Sequence, residues 1–189
     1  MAIIQTQNPA EASGILAEIY SKDVTDLGYV ADYTRVMSVN PEAYRAWEQL
    51  VRAIVAQLGV RRYELVTLAA AQGVGSEHCR LAHGRKTLKL IGEDQLEAIA
   101  RDYRNSGLSE AEVAMMEFAE RISRDSAGMT EADSLRLREL GFTDEEIVNI
   151  TLAAAARNFF SRAIQALAVK VEVPPGLSDR LCGALLAPL

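Results

Sequence analysis

Glu64-Leu65-Val66-Thr67-Leu68-Ala69-Ala70-Ala71-Gln72-Gly73-Val74-Gly75-Ser76-Glu77-His78-Cys79-Arg80-Leu81-Ala82-His83 is the stretch that decides how the chain is read. Its alanine- and leucine-rich first half favours helix. Gly73 and Gly75 interrupt that helix, and Ser76 is a cap for the next one. Cys79 then falls in a first helical turn, where unpaired backbone N–H groups and the macrodipole favour a thiolate. Ser76 lies one turn before Cys79 and His83 one turn after it, so all three share a helix face within about 60°. His78 is offset by about 100° and is expected to face a neighbouring helix.

Outward from this stretch, the helical pattern continues. All five prolines, Pro9, Pro41, Pro174, Pro175 and Pro188, lie near the ends of the chain. Residues 42–173 contain none, and aromatics make up only 6%. A long proline-free, alanine-rich stretch with helical periodicity predicts an all-α fold. A length of 189 residues suits a single domain over 1–189. Asn8-Pro9 and Asn40-Pro41 each set a cap before a proline at a first helical position. Ser109 to Glu112 and Thr143 to Glu146 read as capping boxes. Gly59, Gly92, Gly107 and Gly141 are natural stops. The pattern predicts helices over 9–21, 41–57, 61–73, 77–90, 93–103, 109–123, 130–139, 143–168 and 178–186, and leaves 27–39 unassigned. Within 109–123, Val113, Met116, Phe118, Ala119 and Ile122 recur at helical intervals and form a core face.

The chain also echoes itself weakly. A shift of 82 residues puts Leu58-Gly59 on Leu140-Gly141, and Glu64-Leu65-Val66 on Glu146-Ile147-Val148. Leu68 falls on Ile150, Ala71 on Ala153 and Arg80 on Arg162. The reactive residues are not repeated: His78, Cys79 and His83 fall on Phe160, Ser161 and Gln165. The unit therefore folds without them. Two amphipathic helices could also match by chance.

Composition excludes several functions. A formal charge of −6 argues against a nucleic-acid binder, which needs a basic surface. Cys79 and Cys182 are the two cysteines, too few for a disulfide framework. No apolar run of about 18 residues suggests a membrane span. The N-terminus lacks the basic-then-apolar pattern of a secretory signal, so a cytoplasmic protein is expected.

Both histidines, His78 and His83, lie within four residues of Cys79. A thiol needs a base to become nucleophilic near neutral pH, and an imidazole one turn away is such a base. Two plainer readings stand beside this one. Cys79 could be an inert core residue. Cys79, His78, His83 and Glu64 could ligate a metal, but zinc sites more often show paired cysteines or an H-x-x-x-H helix, and none is expected here. Arg80 is expected to face solvent or pair with an acid.

The spacing of Glu64, Ser76, Cys79 and His83 resembles the signature of the AhpD-like alkylhydroperoxidase and carboxymuconolactone decarboxylase family. That signature is a Glu, then Cys-x-x-Cys twelve residues on, then a His four beyond the second Cys. His78 also matches a family histidine. Leu108 to Ala119 and Leu140 to Arg162 resemble following family helices, and the likeness runs over about 10–175, closest to the longer peroxidase-related branch.

The resemblance implies an all-α homo-oligomer without a cofactor that reduces hydroperoxides. Cys79 would be the nucleophile, His83 and Glu64 the proton relay, and His78 an assistant. Ser76 stands where the family has its resolving cysteine, and a hydroxyl cannot close a disulfide. The sulfenic acid would then need an external thiol or a partner protein. Cys182, in an apolar tail beyond Pro174-Pro175, is expected to be a packing residue. Ser76 is expected to hydrogen-bond the Cys79 thiolate instead. Two other functions fit the same residues: cofactor-free acid–base chemistry on an organic acid or lactone by His83, His78 or Glu64, and a non-catalytic helical oligomer.

Overall fold

The computed structural model describes residues 3–187. Among these residues the regular structure is entirely helical. The helices are α1 (Gly14–Leu27), α2 (Asp32–Met37), α3 (Pro41–Leu58), α4 (Val60–Gly73) and α5 (Glu77–Ile91). They continue as α6 (Glu93–Asp102), α7 (Glu110–Asp125), α8 (Glu131–Glu139), α9 (Asp144–Ala166) and α10 (Asp179–Leu186). None is long and apolar enough to cross a membrane.

Local chemistry sets most of these limits. Ser109 with Glu112 and Thr143 with Glu146 form the expected capping boxes, and Thr130 with Asp133 forms another. The N-terminus differs from expectation. Asn8-Pro9 opens only a 3-10 turn, Pro9–Glu11, and α1 begins after Ser13. Gly14, at φ 55°, turns the chain between the two and separates them. α1 then runs on to Leu27, where Gly28 at φ 86° ends it. The unassigned region holds the short α2.

α4 is the central helix. It packs on α3, α5, α7 and α9, and every residue from Tyr63 to Ala71 is buried. Its crossing with α7 is tight: a Cβ on Gly73 would lie 2.5 Å from the Glu120 carbonyl oxygen. The main core unites α3, α4, α7 and α9 through residues such as Ile54, Leu65, Met115, Met116 and Ile150. A second cluster joins Ile19, Tyr20, Tyr44, Cys79 and Phe160. A third seats α10 on α5 and α6 through Leu81, Leu96, Leu181 and Leu185.

Arg80 departs from its expected place. It is buried, and its Nη2 donates to the carbonyls of Ala100 (3.0 Å) and Ala184 (3.3 Å), its Nη1 to Ala187 (2.9 Å). These carbonyls close the ends of α6 and α10, where a cation meets the negative pole of the dipole. Arg162, its counterpart in the echo, likewise donates to Ser123 O near the end of α7 (3.2 Å).

Candidate functional site

The break after α4 builds the site. Gly75 takes φ 67°, a conformation that glycine adopts without strain. The chain then restarts as α5 with Ser76 as cap, its Oγ accepting from the Cys79 N–H at 3.4 Å. The hydroxyl thus serves the helix start. No hydrogen bond from Ser76 to the Cys79 sulfur is present among the described residues, contrary to expectation.

Cys79 is 2% exposed and sits in the first turn of α5. Two groups on α9 point at its sulfur. Arg157 Nη1 donates to Sγ at 3.4 Å and Ser161 Oγ at 3.1 Å. Both donors stabilise negative charge on sulfur. Arg157 is itself buried, with its guanidinium 5.7 Å from the Trp47 ring centre and 5.5 Å from that of Phe160. Burial disfavours its charge, but Cys79 and Tyr63 outweigh burial and hold it protonated.

One turn further along α5, His83 Nδ1 lies 2.6 Å from Glu64 Oε2 on α4. Both side chains are buried. Burial pushes the Glu64 carboxyl up, but the electrostatic pull and hydrogen bond of the His83 ring N–H, with Lys86 and Arg157, hold it below the ordinary value. Burial, aided by Arg157 and Lys86, pushes His83 down to about 3 against the opposing pull of Glu64. At neutral pH the pair is therefore a carboxylate accepting from a neutral imidazole. That fixes the proton on Nδ1 and leaves Nε2 a lone pair.

A cavity of about 280 Å³ opens beside these groups. His83 and Cys79 line it, and Glu64 stands behind His83. Tyr33, Tyr44, Tyr63, Trp47 and Phe160 form its walls, and Lys22, Asp23, Asp26, Glu48, Arg85, Lys86 and Glu172 are charged groups around it. Such a cavity, with aromatic walls and many charged groups around it, suits a small polar organic ligand. Among the described residues no cluster of three or more His, Cys, Asp or Glu could hold a metal ion.

His78 lines the same cavity but joins neither pair. As expected it faces another helix: its ring stands edge-on to Tyr33 of α2, 5.0 Å between centres. Both its nitrogens are buried with no hydrogen-bond partner, and burial lowers its pKa. Cys182 is half-buried in the α10 cluster, apart from the cluster that holds Cys79. Sequence reasoning missed Arg157 and Ser161. The echo held the signal for Ser161, which matches Cys79 at the 82-residue shift. Arg157 had none, because its counterpart is Gly75.

No protein-family model and no curated protein matches the chain. Solved structures do. An AhpD-core, uncharacterized peroxidase-related protein from Ralstonia eutropha JMP134 superposes with a TM-score of 0.80 at 20% identity, over 100% of this chain and 98% of that one. A peroxidase-related protein from Silicibacter sp. TM1040 gives 0.72 at 23% identity, over 90% and 95%. The debrominase Bmp8, solved as a cysteine-to-alanine variant in complex with 2,3,4-tribromopyrrole, gives 0.78 at 17% identity, over 98% of each chain. The fold of this chain is the AhpD-like fold.

Proposed function

We propose that the chain is a one-cysteine thiol oxidoreductase that reduces hydroperoxides with electrons from an external thiol. The observation that carries this reading is the convergence on Cys79: two donors on its sulfur, beside a cavity lined by the base His83, which Glu64 orients. His83 Nε2 accepts the thiol proton within the step, against the burial that keeps the resting ring neutral, and the Glu64 carboxylate on Nδ1 stabilises the imidazolium so formed. The thiolate attacks the terminal oxygen of the hydroperoxide. The S–O bond forms, the O–O bond breaks, and the departing alkoxide takes the proton from His83. The products are an alcohol and the Cys79 sulfenic acid. One external thiol condenses with that acid, releasing water and leaving a mixed disulfide. A second thiol attacks that mixed disulfide, its proton passing to the departing Cys79 sulfur, and the external disulfide leaves; the two external thiols have supplied the two electrons that reduced the peroxide. A reducing cytoplasm is the compartment that holds such thiols.

Peroxide consumption in the presence of a small thiol tests this directly. Cys79→Ser is expected to reduce the rate to that of the thiol alone, and equal rates in the two proteins would sink the proposal. The Glu64–His83 pair is complete without the sulfur, which favours acid–base chemistry as the second reading. Turnover of an organic acid or lactone that survives Cys79→Ser and is lost in His83→Ala would establish it. The same buried pair beside a cavity weighs against a scaffold without chemistry.

A further inference from the structure

α9 turns one face to Cys79 and leaves the opposite face bare. Between Glu145 and Arg162 the exposed residues are Glu145, Val148, Leu152, Ala155, Phe159 and Arg162, and no others. Their spacing alternates three and four, which is the seam of a helix that packs along another helix. The apolar members are well uncovered: Val148 56%, Leu152 43% and Phe159 56%. Charge appears only at the two ends, Glu145 at one and Arg162 at the other. Neither has an ion-pair partner among the described residues. Arg162 uses only Nη2, on Ser123 O.

We propose that this seam binds α9 of a second copy of the chain, antiparallel, about a two-fold axis. In that register Glu145 meets the partner's Arg162, Val148 meets the partner's Phe159, and Leu152 meets the partner's Ala155. Each pair occurs twice, and each large apolar side chain faces a complementary one. The ion pairs close both ends of a contact about 27 Å long. A parallel pairing would set Glu145 on the partner's Glu145 and Arg162 on the partner's Arg162, which repel. Self-complementarity in one direction only is what an isologous interface requires. The interface backs the site without entering it, because Arg157 and Ser161 leave α9 on the other side.

Sedimentation equilibrium of the full chain tests this, with circular dichroism to confirm that each variant is folded. The wild type is expected to sediment as a dimer or an even multiple of one. Phe159→Asp is expected to halve that mass. A monomer, an odd-numbered assembly, or an unchanged mass in Phe159→Asp overturns the proposal. Glu145→Arg and Arg162→Glu are each expected to weaken the contact about tenfold, since each acts twice per dimer. The double variant is expected to recover wild-type affinity. Weakening by each single variant without recovery in the double overturns the antiparallel register.

Discussion

Residues 58–83 and 140–165 start alike and finish as different structures. Both open on Leu-Gly with the glycine at positive φ, 80° at Gly59 and 91° at Gly141. Both bury matching positions: Leu65 and Ile147, Leu68 and Ile150, Ala71 and Ala153. Both end on an arginine that holds a helix C-terminus. Between these points they diverge. Gly73-Val74-Gly75 ends α4, whereas Ala155-Ala156-Arg157 lets α9 run on unbroken. The break gives α5 a free N-terminus with Cys79 in its first turn. The unbroken helix braces it. Arg157 and Ser161 reach Cys79, and Gln165, the counterpart of His83, donates to the carbonyls of Val74 and Gly75 that the break leaves open. The two glutamates part in the same way. Glu64 is buried on His83, while Glu146 closes the capping box of α9. One segment breaks its helix and presents a reactive sulfur, and the other runs unbroken and supports it.

Arg157 is where the comparison is easiest to break. If its guanidinium stabilises the thiolate, Arg157→Met should slow alkylation of Cys79 and peroxide turnover near pH 7 by roughly 10²-fold, as loss of one preorganised donor does elsewhere. Stability of the reduced protein should change little. Arg157 is a buried charge whose Nε has no partner, and an apolar side chain of similar length removes that burden. Iodoacetamide kinetics with a thermal melt measures both. An unchanged alkylation rate would reduce Arg157 to a packing residue.

His83→Gln copies α9 into α5 and tests the buried pair by pH. Burial pushes folded His83 down to about 3, from an ordinary 6.5. The unfolded chain therefore takes up a proton that the folded chain refuses as pH falls below about 6.5. Stability is lost through that window at about 1.4 kcal/mol per unit of depression. Glu64 is also depressed, so its contribution is present above 4.5 and is lost below it. His78, lowered by burial, adds a slope of the same sign as His83. Melting temperatures at pH 7 and pH 5 should fall steeply in the wild type and less in His83→Gln. Equal slopes would show that His83 takes up its proton at the same pH in the folded and the unfolded chain.

Gly73→Ala also copies α9, where the matching residue is Ala155. In α9 that alanine is exposed. In α4 the added methyl would meet the Glu120 carbonyl at 2.5 Å and Ser123 Cβ at 2.8 Å. Overpacking against backbone costs about 1–3 kcal/mol. A denaturant midpoint unchanged by the substitution would mean that the α4–α7 crossing is looser than it stands.

What was legible in the sequence was local. Caps, glycine stops and the break at Gly75 act within one turn, so residue type and spacing carry them. The same holds for the face shared by Cys79 and His83, and the family spacing added Glu64. What was not legible was long-range. Arg80 could not be told from a solvated arginine, because its partners are carbonyls at the ends of two helices distant in sequence. Arg157 lies 78 residues from Cys79, and nothing near it in sequence calls for a thiol partner. The start of α1 failed for a different reason. Two adequate signals competed, Asn8-Pro9 and Ser13-Gly14, and the positive φ of Gly14 gave the helix to the second.

The smallest effect concerns His78, whose counterpart in α9 is Phe160. Phe160 is buried among rings, 6.0 Å from Tyr33, 6.4 Å from Tyr44 and 4.4 Å from Trp47. His78 meets the same Tyr33 edge-on, but its two nitrogens have no partner. A buried polar group left unpaired costs about 1–3 kcal/mol, and a phenyl ring at that position has no such cost. Part of the gain is offset by the larger ring. His78→Phe is therefore expected to stabilise the fold by about 1 kcal/mol, a rise of roughly 2–4 °C in Tm for a chain of this length. A loss of that size would mean that an imidazole nitrogen is engaged after all, and His78 would rejoin His83 in handling protons beside Cys79.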